Sequence, residues 1–191
     1  MSKEAPIKSR WTLWLIIALC VAPVIASYIA YYVAPPAGHT NYGELLNAPP
    51  MPDTALRLND GKPFAFSALR GKWVLLAVDS AQCNEACQRK LFALRQLRLA
   101  QGKEMDRIER AWLISDAAAV APKLLEEYRG TWLIRVGAGD ILKSLPAPRP
   151  VTDYIYVLDP LGNVVMRYGS DADPTRIIKD LTRLLKTSRI G

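Results

Sequence analysis

From Trp11 to Val33 the chain runs for 23 residues without an Asp, Glu, Lys, Arg or His. As a helix rising about 1.5 Å per residue, this stretch reaches about 34 Å, enough to cross a hydrocarbon core of about 30 Å. Trp11 and Trp14 stand at one end and Tyr28, Tyr31 and Tyr32 at the other, where amphipathic rings favour the two lipid–water boundaries. Pro23 is compatible with a kinked span. Lys3, Lys8 and Arg10 precede the stretch, and no Lys or Arg occurs between Ala34 and Leu56. The positive-inside bias therefore places the amino terminus in the cytoplasm and the bulk of the chain outside. A cleaved signal peptide is the rival reading. Its apolar region would normally be about 7 to 15 residues and end in small residues rather than tyrosines.

With the apolar excess concentrated in that segment, the rest of the 191 residues reads as one ordinary globular domain. The expected organisation is a cytoplasmic tail over 1–10, a transmembrane helix over 11–33, a linker over 34–53 rich in Pro and small residues, and a domain over 54–191. The expected location is a bacterial inner membrane, with the amino terminus cytoplasmic and the domain periplasmic. A formal charge of +7 suits anionic lipid or an acidic protein. Nucleic acid is not an expected partner, because no arginine-rich or aromatic-interleaved motif gathers that charge.

Asn59-Asp60-Gly61 between Ala55–Leu58 and Pro63–Phe66 predicts a hairpin. The continuous apolar run Trp73–Val78 predicts a strand buried on both faces. A loop over Asp79–Gln82 and a helix from about Cys83 to Gln101 follow. Further strands are expected at Ala111–Ile114, Trp132–Val136, Tyr154–Leu158 and Val164–Tyr168, and helical segments at Pro122–Tyr128, Asp140–Leu145 and Pro174–Lys186. The alternation specifies an α/β fold, with Trp112, Trp132 and Tyr128 packing the core.

Cys20 falls inside the span, which leaves Cys83 and Cys87 as a pair. The sequence Cys83-Asn84-Glu85-Ala86-Cys87 stands where a strand gives way to a helix, so its first thiol meets the positive end of the helix dipole. Residues four apart share a helix face, close enough for a disulfide after modest adjustment of the first turn, or for one soft metal ion. An inert structural bridge and two reduced, packed cysteines are the bland alternatives. Asp79 and Glu85 flank the pair and are read as exposed, dipole-compensating acids. Without a histidine in the domain or a nucleophile elbow, a conventional hydrolase is not expected.

The single anchor, Asn41-Tyr42-Gly43-Glu44-Leu45-Leu46, the hairpin before Leu69-Arg70-Gly71-Lys72-Trp73, the C-x-x-x-C pair and Tyr156-Val157-Leu158-Asp159-Pro160-Leu161-Gly162 together resemble the Sco/SenC copper chaperones of cytochrome c oxidase assembly. The similarity spans Asn41 to Lys186. It implies a thioredoxin-like mixed central sheet flanked by helices. It also implies that Cys83 and Cys87 bind Cu(I) or exchange disulfides during maturation of the oxidase's copper centre, with an oxidase subunit or another thiol or copper protein as partner.

The family's third copper ligand, a histidine just before the strand matched by Tyr154–Leu158, is replaced here by Val151. His39, the sole histidine, lies in the linker and is read as solvated. The departure shifts weight from copper carriage toward thiol–disulfide oxidoreductase chemistry, with Cys83 as the more exposed attacking thiol and Cys87 as the resolving one. The alternative is a non-catalytic, membrane-tethered scaffold stapled by a structural Cys83–Cys87 disulfide. Pro150, next to Val151, is expected in the ordinary trans form.

Overall fold

The computed structural model describes residues 8–32, 41–137, 140–188 and 190. The chain divides into two compact units, Met1–Thr40 and Asn41–Gly191. In the first, α1 (Lys8–Tyr32) is one continuous helix with Pro23 inside it. Its segment Trp11–Tyr32 is long and apolar enough to cross a membrane. His39 and Val33 lie outside the described residues.

The second unit is built on an eight-stranded sheet. Its strands are β1 (Glu44–Leu45), β2 (Leu56–Leu58), β3 (Pro63–Phe64), β4 (Trp73–Asp79), β5 (Ile108–Ile114), β6 (Trp132–Arg135), β7 (Tyr154–Leu158) and β8 (Val164–Gly169). They lie in the order β1-β8-β7-β4-β5-β6-β2-β3. The pairs β4–β5 and β5–β6 are parallel and the others antiparallel. The parallel pair β4–β5 requires a crossover, supplied by α2 (Glu85–Leu99).

The apolar run of β4 is explained by its central place. Trp73, Leu75 and Ala77 face a core closed by α2, by α3 (Pro122–Glu127) and by α4 (Pro174–Thr187). Val74, Leu76 and Val78 face a second core containing Met51, Phe64, Phe66, Leu69, Ile141 and Leu145. Both faces are dry, so alternation disappears from the sequence of the strand. Trp112 and Tyr128 are buried in the first core, whereas Trp132 is half-buried beside the second.

Residues 41–53, expected as linker, belong to this unit instead. β1 pairs with β8, Met51 is buried, and the Asp180 carboxylate accepts hydrogen bonds from the amides of Tyr42 (2.8 Å) and Gly43 (2.9 Å). A Cβ at position 43 would stand 2.4 Å from the Tyr168 ring and 2.6 Å from the Met166 sulfur, so glycine is required for that close approach. Arg167 adds a clip, donating to both carboxylate oxygens of Glu44 and to the carbonyl of Pro146. Proline-rich composition concealed these long-range contacts.

Two shorter departures have local causes. The hairpin's second strand stops at Phe64, because Phe66–Leu69 turns into a 3-10 helix that buries Phe66 and Leu69. The segment Asp140–Ser144 is likewise 3-10.

Candidate functional site

α2 begins later than its apolar spacing suggests. Asn84 is the N-cap, its side-chain oxygen accepting from the Cys87 amide at 3.0 Å, which satisfies one of the free donors of the first turn. Cys83 therefore lies ahead of the helix, in a loop held by Ser80, whose carbonyl accepts from the Cys83 amide at 3.2 Å. The Asp116 carboxylate accepts from the Ala81 amide at 3.2 Å and the Ala118 amide at 3.1 Å. It thereby joins the loop after β4 to the loop after β5.

Cys83 and Cys87 are joined by a disulfide, with their Cα atoms 5.0 Å apart. To reach its partner from outside the helix, Cys83 adopts φ of 41°, and no other non-glycine residue among those described has a positive φ. That left-handed conformation crowds a Cβ and costs about 1 kcal/mol or more. The expected ranking of the two thiols is corrected here: each cysteine is only 1% exposed. The Gln88 side chain donates to the Cys83 carbonyl at 2.9 Å, and the Tyr128 hydroxyl to the Gln88 carbonyl at 3.2 Å. The bridge belongs to the same buried cluster as Leu91 of α2 and Tyr128 at the end of α3.

Between the end of β4 and α2 lies an ion pair that the sequence reading missed. The Lys90 ammonium is 2% exposed, pairs with the Asp79 carboxylate and donates to the carbonyls of Val78 (3.0 Å) and Thr152. These acceptors match the ammonium's three protons, the condition under which a buried charge is tolerable. Burial is the main influence on Asp79 and pushes its carboxyl above the ordinary carboxylate range; Lys90 pulls it back and Asp153 adds to the rise. Asp79 is therefore not the exposed, dipole-compensating acid expected. Glu85 is: its side chain is 95% exposed and meets Arg89 at 3.5 Å.

Lys90 also fastens the turn opposite the cysteine helix. Val151–Asp153 is a 3-10 turn following Pro150, with Val151 half-buried against the second core, and the described residues contain no cis peptide bond. A valine there offers no electron pair to a metal. Among the described residues no group of three or more His, Cys, Asp or Glu side chains could hold a metal ion. The donor set next to the helix is thus two sulfurs, and those are joined to each other. Alongside α2 runs a groove of about 770 Å³ lined by Glu85, Gln88, Phe92, Tyr128, Ile155 and Pro174 among others.

Comparison with known proteins places this architecture. Copper-bound ScoI from Arabidopsis thaliana superposes with a TM-score of 0.59 at 16% identity, covering 75% of this chain and 100% of that one. Copper-bound yeast Sco1 gives 0.58 at 18% identity, covering 79% and 96%. A putative protein disulfide isomerase from Bacteroides thetaiotaomicron gives 0.55 at 18% identity, covering 75% and 92%. At these identities the likeness is one of fold, and it bears out the thioredoxin-like architecture. No protein with a curated description matches the chain. The family model described as "Transmembrane-like, thioredoxin-like, C-terminal domain" matches residues 73–188, from the first residue of β4 to just past the end of α4. The chain belongs to that family of transmembrane-like, thioredoxin-like C-terminal domains.

Proposed function

We propose that the protein is a membrane-anchored thiol–disulfide exchange factor acting in copper-centre assembly, that of cytochrome c oxidase above all, with Cys83 and Cys87 as its working pair. The observation that carries this reading is the Cys83–Cys87 disulfide immediately before and within the first turn of α2, where the helix dipole favours a thiolate over a thiol. The names of the Sco structures support the copper setting, and that of the Bacteroides protein supports exchange. α1 would be the anchor, with its basic amino-terminal flank in the cytoplasm and the folded unit in the periplasm.

In one turnover a partner thiolate attacks the Cys83 sulfur. A bond forms between the two proteins, the Cys83–Cys87 bond breaks, and Cys87 leaves as a thiolate. The partner's second thiol, losing its proton, then attacks its own sulfur in the mixed disulfide and releases Cys83. Two electrons and two protons have passed from the partner's dithiol to this pair, and the reverse sequence oxidises the protein's dithiol. Because both cysteines are buried, attack proceeds from a locally opened state of the loop before α2. A partner segment lying in the groove along α2 would be positioned beside it. Cu(I) enters this scheme as cargo: once reduced, two thiolates can hold this soft, low-coordinate ion, while Cu(II) lacks an imidazole ligand.

Anaerobic Cu(I) titration of the reduced full-length chain in a Cys20→Ser background, against a competing chelator, separates the two activities. One-to-one binding lost in Cys83→Ser/Cys87→Ser assigns copper transfer to the pair. Binding equal to that variant leaves exchange alone. Cys83→Ser is expected to abolish exchange with a small dithiol while the fold is retained, and an active serine variant would sink the assignment.

A further inference from the structure

The last helix carries an unusually one-sided charge. Arg176, Lys179, Arg183 and Lys186 are all exposed, and at about 100° per residue their spacing of three, four and three confines them to an arc of about 80°. Ile177, Leu181 and Leu185 face the core, as does the helix's sole acid, Asp180. Asp173 precedes the helix and is engaged as its N-cap. The outward stripe of α4 is therefore purely basic.

The same helix receives the chain where it enters the folded unit. Asp180 binds the amides of Tyr42 and Gly43, the Tyr42 hydroxyl accepts from the Asp173 amide, and the Arg176 guanidinium lies 4.1 Å above the Tyr42 ring. Between the end of α1 at Tyr32 and Asn41 there are eight residues, 33–40. Even fully extended, they allow about 30 Å between those points. A chain so short makes meeting a bilayer surface an intramolecular event for whatever lies next to Tyr42.

We infer that the basic stripe of α4 is a docking surface for anionic phospholipid headgroups of the membrane in which α1 is anchored. This inference rests on reading α1 as an anchor. Charge complementarity supplies the attraction, which acts only within about 10 Å at ordinary salt, a range the short connection brings into reach. Docking would hold the cysteine-bearing unit in one orientation to the bilayer instead of leaving it free to turn.

Lysine footprinting of the full-length chain in nanodiscs tests this, comparing discs of phosphatidylcholine with discs containing phosphatidylglycerol. Lys62 and Lys143, exposed beside Asp60 and Asp140, serve as internal references. Lys179 and Lys186 are expected to react about threefold more slowly in the anionic discs, with the references unchanged and the protection lost at about 1 M salt, where the Debye length is about 3 Å. Equal rates in the two discs overturn the docking surface, whether or not an acidic protein added later protects the same lysines. Failure of the chain to enter either disc overturns the anchor and the docking together, so loss of the anchor is distinguished from loss of docking.

Discussion

At Cys83 a left-handed backbone, a buried sulfur and a covalent bridge to the first turn of α2 meet in one residue. Close by, Asp79 and Lys90 make a pair whose two members are not equivalent. The ammonium loses every partner if its side chain is removed, leaving Asp79 and two carbonyls unsatisfied, so Lys90→Met is expected to cost about 3 to 5 kcal/mol in denaturant unfolding. Asp79→Asn keeps an acceptor for Lys90 and removes a carboxylate that burial already disfavours, so its cost is expected to be about 1 kcal/mol or less. Equal losses from both would contradict this asymmetry.

The pH dependence follows from the same carboxyl. Its pKa in the folded state is raised above 3.8, so between that value and the raised one the folded state holds more proton than the unfolded state. Stability from Asp79 is therefore fullest below about pH 4 and declines as pH rises through the folded pKa. The difference in unfolding free energy between the natural chain and Asp79→Asn should fall over that window, and a rise would contradict the assignment. A signal for Lys90 was present but unread: it stands three residues after Cys87 and four before Leu94, on the apolar stripe of the helix. The carbonyls that receive it come from β4 and from a turn 62 residues away, which no local pattern encodes.

Among the elements, those with a strong period were readable and those fixed by distant partners were not. β4, β7, β8 and α4 fall where apolar runs and turn residues place them, because their side chains face a core on at least one side. β5 begins three residues earlier than its apolar run, since it includes Glu109 and Arg110. β1 was invisible, being two exposed residues held by pairing with β8 and by Arg167. The beginning of α2 was displaced because apolar spacing cannot distinguish a helical cysteine from one just ahead of an asparagine cap. The attachment of the entering segment can be tested at Asp180. Asp180→Ala removes the acceptor of two backbone amides, and hydrogen exchange of residues 42–45 is expected to accelerate by about tenfold or more while β4 and β5 stay protected. Unchanged exchange there would show that β1 pairing alone retains the segment.

For the whole molecule, the α/β alternation and the resemblance drawn from scattered motifs are matched by the fold of the Sco structures. The chemistry was less legible, because sequence spacing alone does not separate exchange, metal binding and stapling at Cys83 and Cys87. The central claim is that this pair is a reversible two-electron couple. Equilibrating the full-length Cys20→Ser chain in glutathione buffers of graded potential, then trapping and counting free thiols, tests it most directly. The account predicts that both thiols appear together in one reversible transition, shifting about 30 mV per tenfold change in the ratio of reduced to oxidised form, with the fold retained throughout. A bridge that stays closed across the whole glutathione range, or opens only as the protein unfolds, would contradict the claim and make the disulfide a structural staple.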